Sequence, residues 1–240
     1  MDSWAASLLN ELMVANVIVW DIETVPDIKS FAAANGHDGK SDDEIREAMG
    51  DKFPKHIYHS IICIGALIAH EEEGRWAVDA LGAPHVGERS EKALISSFVD
   101  RIAQLTPQLV TFNGASFDLP VLRYRAMVHG IAAPGLSTRP YFNRYTEDAI
   151  DLCDVLSSFS AQGKVGLHEL CRAMGLPRKP GIIGAKKLRI TIATGTSARL
   201  PHIARAMSST PIASGCAMNF FVGGCRIPNF RRAKRVLLIS

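Results

Sequence analysis

Two carboxylates at the end of a short apolar run constrain this chain more than any other feature. Residues 17–20 (Val-Ile-Val-Trp) are apolar and mostly β-branched or aromatic, which is the composition of a buried strand. Asp21 and Glu23 follow. In a strand they lie on the same face, whereas Ile22 faces the other way. Pro26 is expected to end the strand, because proline has no N–H to donate to a sheet.

Adjacent carboxylates repel each other, and holding them beside a core costs stability unless their charge is neutralised. Mg²⁺ or Mn²⁺ neutralises them well, since both ions prefer oxygen ligands. We therefore interpret Asp21 and Glu23 as half of a metal site. The alternative is a solvated strand end, because an Asp-x-Glu triplet is expected roughly once by chance in a chain of this length.

Composition favours a globular domain. Of the 240 residues, 47% are apolar and 21% are charged. No apolar run approaches the roughly 18 residues of a transmembrane helix, so no membrane partner is expected. The N-terminus lacks the basic region of a secretory signal. The five cysteines form no Cys-x-x-Cys pair, which favours reduced thiols in a cytoplasm over a zinc site or a disulfide framework.

The spacing of apolar residues predicts a mixed α/β layout around one central sheet. We expect strands over 16–23, 59–69, 75–81 and 109–112, and helices over 88–104, 119–129, 151–159 and 166–174. Residues 26–57 are polar and are expected to form a long loop with one short helix, starting near Ser41.

A second motif, Thr-Phe-Asn-Gly-Ala-Ser-Phe-Asp-Leu-Pro at 111–120, follows a predicted strand and opens a predicted helix. This position allows Asp118 to face the end of a neighbouring strand. The alternative is that the side chain of Asp118 only caps the helix. Without the first motif, this alternative would be favoured.

Together the two motifs resemble the DEDD superfamily of 3′–5′ exonucleases. They are most similar to the bacterial stand-alone family related to the proofreading exonuclease domain of family B DNA polymerases. Val-Trp-Asp-Ile-Glu-Thr at 19–24 and Phe-Asn-Gly-x-x-Phe-Asp-Leu-Pro at 112–120 carry the resemblance, and the stretches at 151–156 and 166–181 also fit. The resemblance extends over about residues 14–184.

The resemblance implies a ribonuclease H-like fold, with a mixed five-stranded sheet flanked by helices. It also implies hydrolysis of terminal phosphodiester bonds at the single-stranded 3′ end of DNA, with two divalent cations, Mg²⁺ or Mn²⁺. Asp21 would bridge both cations, Glu23 would hold the cation that activates water, and Asp118 would hold the other. Two cations about 3.5–4 Å apart clamp the attacking and leaving oxygens of an in-line displacement.

The resemblance further implies that Thr24, Asn113 and Phe117 bind substrate. Asn113 would hydrogen-bond to the terminal nucleotide, and Phe117 would stack on it. A core aromatic is an equally good interpretation of Phe117.

The sequence departs from the superfamily where a fourth acid is expected, in Tyr-x-x-x-Asp or His-x-x-x-x-Asp on a late helix. No Asp follows Asp154 and no Tyr follows Tyr145. We interpret Asp151 and Asp154 as helix-start acids beside the site rather than as replacements. Loss of the fourth ligand and the water-positioning residue is expected to lower activity by orders of magnitude, since such residues act as a unit.

Charge is divided sharply along the chain. The first 169 residues carry 24 acidic and 14 basic residues, whereas residues 170–240 carry 13 basic residues and no acid. We divide the chain into an N-terminal extension at 1–15, an exonuclease domain at 16–182 and a basic tail at 183–240. The tail is interpreted as a frameshifted, incomplete C-terminus, with a genuine phosphate-binding tail as the alternative.

The main functional alternative is a catalytically inactive nucleic-acid-binding protein of the same fold. Other metal hydrolases are less favoured, because the sequence contains neither the Gly-x-x-x-x-Gly-Lys-Ser/Thr phosphate loop nor a nucleophile-elbow motif.

Overall fold

The computed structural model describes residues 16–72 and 75–174. Five strands form one mixed sheet in the order β3-β2-β1-β4-β5. They are β1 (Asn16–Pro26), β2 (His59–Glu72), β3 (Arg75–Gly82), β4 (Gln108–Thr111) and β5 (Ala149–Asp151). β1, β2 and β3 pair antiparallel, and β4 and β5 run parallel to β1. The predicted ribonuclease H-like fold class, a mixed five-stranded sheet flanked by helices, is confirmed.

Six helices accompany the sheet in the described residues. They are α1 (Ile28–Asn35), α2 (Asp42–Met49), α3 (Glu91–Leu105), α4 (Asp118–Val128), α5 (Leu152–Leu156) and α6 (Leu167–Ala173). The prediction of one helix in a long loop at 26–57 is wrong, because that segment contains two. Asp27 caps the first, and Ser41 caps the second in a capping box with Glu44.

Two further boundaries differ from the prediction. The first strand continues to Pro26, its last residue, by pairing along its whole length with β2. The helix predicted over 151–159 is shorter, because Asp151 ends β5 and α5 ends at Leu156. Beyond it, Ser158 and Phe159 take left-handed backbone angles, which are incompatible with a continuing helix.

Apolar side chains fill both faces of the sheet, as the alternation of a strand requires. On one face Ile18, Trp20 and Ile22 of β1 pack against α3 and α4. On the other face Val17 and Val19 pack with residues of β2, β4 and β5. The prediction that Asp21 and Glu23 follow the end of this strand is wrong, because both lie inside β1 and pair with β2. They come instead just beyond Val19, where the pairing of β1 with β4 ends.

The predicted extension at 1–15 and the predicted tail at 183–240 lie outside the described residues. In the described part of the chain, no helix is long and apolar enough to cross a membrane. The cytoplasmic location inferred from the cysteine pattern stays a prediction.

A buried guanidinium joins the end of β1 to α3 and α4. Arg125 of α4 donates through Nε and Nη2 to both oxygens of Glu91, at 2.8 and 2.7 Å, and through Nη1 to Asp27 at 2.6 Å. Glu91 also accepts the N–H of Ile61 in β2 at 2.6 Å. Although burial acts to raise it, hydrogen bonds from Ser30 and Arg125 hold the pKa of Asp27 below its usual value. The cluster fixes α4 against the sheet.

We predict that Arg125→Met destabilises the fold by about 3–5 kcal/mol, because two largely buried carboxylates lose their cation. Arg125→Lys should recover part of that loss, since lysine keeps the charge without the two-pronged geometry. Urea unfolding measures both variants. The control is Arg101→Met on the exposed face of α3, expected within about 0.5 kcal/mol of wild type. If Arg125→Met changed the free energy of unfolding as little as Arg101→Met, the buried cluster around Arg125 would be contradicted.

Candidate active site

Asp118 reaches the edge of β1. It is the first residue of α4, and its carboxylate accepts the N–H of Ile22 at 3.1 Å. β1 pairs with β4 only from Val17 to Val19, so Asp118 supplies an acceptor to β1 beyond the point where β4 ends. Asp118 does not cap its helix, because the N-cap position belongs to Phe117, which makes no side-chain capping bond. Asp118 faces a neighbouring strand, as predicted, but it contacts Ile22 inside β1 rather than a strand end. The helix-cap alternative is wrong.

The carboxyl groups of Asp118 and Asp21 are close enough to hydrogen-bond to each other. Asp118 is 3% exposed, whereas Asp21 lies at the surface. Burial raises the pKa of Asp118 well above its usual range, and repulsion from Asp21 raises it further. Among the described residues, Asp118 forms no salt bridge with a basic side chain. The structure thus holds an acidic pair without compensating charge on its buried member.

Glu23 lies two residues beyond Asp21 and is half-buried. The pairing register with β2 shifts directly after it, between Glu23 and Thr24, where β2 has one extra residue, Ile62. Within residues 16–72 and 75–174, no group of three or more His, Cys, Asp or Glu side chains is placed to hold a metal ion. Asp21, Glu23 and Asp118 therefore form no ready three-carboxylate cluster, and the role of Glu23 as a ligand stays a prediction.

The Asp21–Asp118 pair nevertheless fits a hard divalent cation. Mg²⁺ is often held by one or two carboxylates and completed by waters and substrate phosphates, so a third protein ligand is not required. The cation would also supply the positive charge that the buried carboxylate of Asp118 lacks. The donor set consists of oxygen atoms alone, which favours Mg²⁺ or Mn²⁺ over softer metals.

The turn from β4 to α4 is held by a carboxylate from β5. Asp151 accepts the backbone N–H groups of Asn113 at 2.7 Å and Ala115 at 3.0 Å, and that of Cys153 at 3.0 Å. Gly114 is required in this turn, because a Cβ there would lie 2.4 Å from Oγ1 of Thr111. The side chain of Asn113 is exposed on a left-handed residue. Asp151 thus anchors the loop that presents Asn113 and leads to α4.

Phe117 belongs to an aromatic cluster beside Asp118. Its ring centroid lies 5.1 Å from that of His59, 5.6 Å from Phe53 and 5.9 Å from His56. The hydroxyl of Thr24 lies 3.0 Å from Nδ1 of His59, at the edge of the same cluster. Phe117 is half-buried and also packs against the core. Its ring therefore has a core contact, as the core interpretation predicts, and an accessible part that could stack on a nucleotide.

Sequence reasoning missed Phe53 and the anchoring role of Asp151. Phe53 is 71% exposed and lies in the polar segment 26–57, which was predicted to be a long loop and where no periodicity marks it. The interpretation of Asp151 as a helix-start acid beside the site is confirmed, since it caps α5. Its bonds to a loop 38 and 36 residues earlier have no signal in one sequence.

Asp154, the other helix-start acid, is completely buried and paired. It accepts from Arg144 through both oxygens at 2.6 Å and lies 2.9 Å from Nζ of Lys164. Although burial acts to raise it, the hydrogen bonds from Arg144 and Lys164 hold the pKa of Asp154 below its usual value. Asp154 is thus engaged as a structural acid, and that it does not replace the missing fourth ligand stays a prediction.

The fourth acid itself remains without a candidate. The one His-x-x-x-x-Asp spacing in the sequence, His37 to Asp42, lies between α1 and the start of α2 rather than on a late helix. The part of the chain that follows α6 lies outside the described residues.

We predict that Asp154→Asn lowers the melting temperature at pH 7, because Arg144 and Lys164 lose a charged acceptor. The depressed pKa of Asp154 means that its stabilisation is complete above about pH 4 and is lost as pH falls through the folded-state pKa. The difference between wild type and variant should therefore shrink below about pH 4. Thermal unfolding from pH 7 to pH 2 measures it, with Asp100→Asn on exposed α3 as the control. A difference that does not change with pH would contradict the pairing.

The sequence of this chain matches one protein-family model. Residues 51–198 match the family model described as a predicted 3′–5′ exonuclease related to the exonuclease domain of PolB. The match includes Asn113, Phe117 and Asp118 and begins after Glu23. No sequence among the curated proteins matches the chain.

Solved structures share the fold. The family B DNA polymerase of the hyperthermophilic archaeon Pyrobaculum calidifontis has 14% identity and a TM-score of 0.55, covering 91% of this chain and 27% of the polymerase. E. coli exonuclease I in complex with a dA16 oligonucleotide has 13% identity and a TM-score of 0.38, covering 78% of this chain and 41% of exonuclease I. The chain thus spans less than half the length of either protein, and the second likeness is too low to support an argument.

The family model covers more than half of the 240 residues, and it includes the loop and helix start that bring Asp118 to β1. The chain belongs to the family of predicted 3′–5′ exonucleases related to the exonuclease domain of PolB.

Proposed function

We propose that this protein is a metal-dependent 3′–5′ exonuclease that acts on the single-stranded 3′ end of DNA. The observation that carries the proposal is the contact between Asp21 and Asp118, two carboxylates from motifs far apart in the sequence. Membership of a family of predicted 3′–5′ exonucleases supports the same function. A buried carboxylate with a strongly raised pKa beside a second acid is also a common feature of functional sites.

Asp21 and Asp118 would hold the cation, with Glu23 completing the site when a second cation and the substrate are present. When bound, Mg²⁺ or Mn²⁺ lowers the pKa of water and stabilises the charge that develops on the phosphate. The N–H of Ile22 fixes one oxygen of Asp118, so this ligand is oriented before any cation arrives. Preorganisation of this kind avoids rearrangement during the reaction.

The terminal nucleotide would bind on the loop and the aromatic cluster beside Asp118. Asn113 offers an exposed amide, and its backbone is fixed through Asp151. Phe117, with the exposed ring of Phe53 next to it, offers an aromatic surface on which a base can stack. Thr24 lies at the edge of this surface, consistent with the substrate contact predicted for it.

The decisive experiment incubates the purified full chain with a 5′-labelled single-stranded oligonucleotide and Mg²⁺ or Mn²⁺. Wild type should shorten the strand stepwise from its 3′ end. Asp21→Asn and Asp118→Asn should each lower the rate by about two orders of magnitude or more. Asn at position 118 still offers an oxygen to the N–H of Ile22, so this variant tests the charge rather than the fold.

Asp100→Asn is the matched control, because it removes one exposed carboxylate from α3 and should leave the rate unchanged. Shortening that is equal in all variants would point to a contaminating nuclease. An inactive wild type would overturn the proposal.

A catalytically inactive nucleic-acid-binding protein is the second candidate. It is favoured by the absence of any Asp after Asp154 and of any Tyr after Tyr145, which leaves the fourth ligand motif of the superfamily unfilled. Binding of the labelled strand without shortening, in every divalent cation tested, supports this candidate over the exonuclease.

A further inference from the structure

Three aromatic side chains are exposed around the loop that leads into β5. Phe142 and Tyr145 lie on this loop, and Phe159 follows α5. The ring centroids of Tyr145 and Phe159 are 5.3 Å apart. Tyr145 is 75% exposed, so one face of the pair is open to a ligand. Single exposed apolar residues are normal on a protein surface. A contacting aromatic pair with a third ring on the same loop is instead typical of an interaction site.

Arginine side chains lie over two of these rings. The guanidinium carbon of Arg123 is 4.3 Å from the ring centroid of Phe142, and that of Arg144 is 6.0 Å from that of Phe159. Such stacking holds each guanidinium beside an aromatic ring, and its remaining N–H groups can still reach a phosphate.

Three basic side chains, Arg123, Arg144 and Lys164, lie around these rings, and exposed Glu147 on the same loop offsets part of their charge. Arg144 and Lys164 share a single buried carboxylate, that of Asp154, which leaves one positive charge in excess. Arg123 adds another, since it forms no salt bridge with any described residue. The first 169 residues have ten more acidic than basic residues (24 against 14). Three basic side chains beside these rings are therefore unusual for this part of the chain.

Phe159 is held at the surface by strained backbone. Ser158 and Phe159 have φ angles of 51° and 60°, a left-handed conformation that non-glycine residues adopt only where the surrounding structure enforces it. The N–H of Phe159 donates to the carbonyl of Asp154 at 2.7 Å, which keeps the chain in this turn. Strain of this kind tends to be retained at functional positions.

The same segment is tied to the candidate active site. Asp154 lies one helical turn after Asp151, the carboxylate that holds the loop bearing Asn113. The loop that bears Tyr145 lies beside the start of β4, since the N–H of Leu109 donates to the carbonyl of Asp148 at 2.8 Å, and Asn113 follows the end of the same strand. A nucleic-acid strand whose terminal nucleotide contacts Asn113 would run back along the β5 edge of the sheet to reach Tyr145 and Phe159.

We propose that Phe142, Tyr145 and Phe159, together with Arg123 and Arg144, form a platform that binds single-stranded nucleic acid upstream of the terminal nucleotide. Aromatic faces stack on any base, so the platform takes a strand without regard to its sequence, and the two arginines contact its phosphates. The inference rests on the proposed exonuclease function for the direction of the strand, and on the exposed rings for its chemistry.

The experiment measures fluorescence anisotropy of a labelled oligo(dT) strand with the full chain in EDTA, where binding is separated from cleavage. Tyr145→Ala should weaken binding by about five- to a hundredfold, the range found when a stacking ring is removed. Tyr145→Phe should bind within about twofold of wild type, because it keeps the ring. Phe142→Ala provides a second, independent loss of a ring.

Leu81→Ala is the matched control, because Leu81 is exposed on β3 at the opposite edge of the sheet. It should bind like wild type. The salt dependence of binding should keep its slope in Tyr145→Ala, since no charge is removed. This slope separates the platform from the 13 basic residues of 170–240, whose removal would change it.

The platform is overturned if Tyr145→Ala binds like wild type, if Tyr145→Phe is as weak as Tyr145→Ala, or if wild type does not bind. A chain that binds through Tyr145 but never shortens the strand contradicts the exonuclease and leaves the platform standing. A chain that shortens the strand while all these variants bind equally contradicts the platform alone.

Discussion

A carboxylate from α4 meets the backbone of β1 beside a second carboxylate, and the other candidate residues are arranged around this contact. Asp118 accepts the N–H of Ile22, which fixes the distance between two motifs separated by 96 residues. The contact is costly in isolation, because burial and the neighbouring Asp21 both disfavour the charged form of Asp118. A fold retains such an arrangement when a ligand offsets the cost, and a divalent cation is the ligand that suits two carboxylates.

Two other buried acids in the described residues, Asp151 and Asp154, have different partners from Asp118. Asp154 is paired with Arg144 and Lys164, and Asp151 accepts three backbone N–H groups. Asp118 instead has backbone donors, from Ile22 and its own N–H, and an acidic neighbour, but no basic side chain in the part of the chain that the structure describes. The chain therefore neutralises acids that hold the fold together and leaves one uncompensated at the place where β1, β4 and α4 meet. This contrast is the reason that we propose the Asp21–Asp118 pair as the functional site.

The long elements and the meeting of Asp21 with Asp118 could be predicted, because strand composition, helix periodicity and a family-like pair of motifs all mark them. β5 could not, since residues 149–151 are too few for a periodic signal and their place depends on pairing with β4. The helix at 28–35 was interpreted as loop because its apolar face is small, whereas the helix that starts after Ser41 was predicted from its cap and first-turn acids. Phe53, Asp151 and the Tyr145–Phe159 pair gain their roles only through contacts between distant segments, which one sequence does not reveal.

The central claim is that Asp21 and Asp118 share a divalent cation, and the shift of the thermal unfolding midpoint on adding Mn²⁺ tests it most directly. In wild type the midpoint should rise with Mn²⁺ concentration, by about 5–10 °C at a hundred times the dissociation constant. Replacing either carboxylate with its amide should abolish most of this rise, whereas the same change at exposed Asp100 should preserve it. An unchanged midpoint in wild type, or an equal rise without the Asp118 carboxylate, would contradict a cation held by this pair.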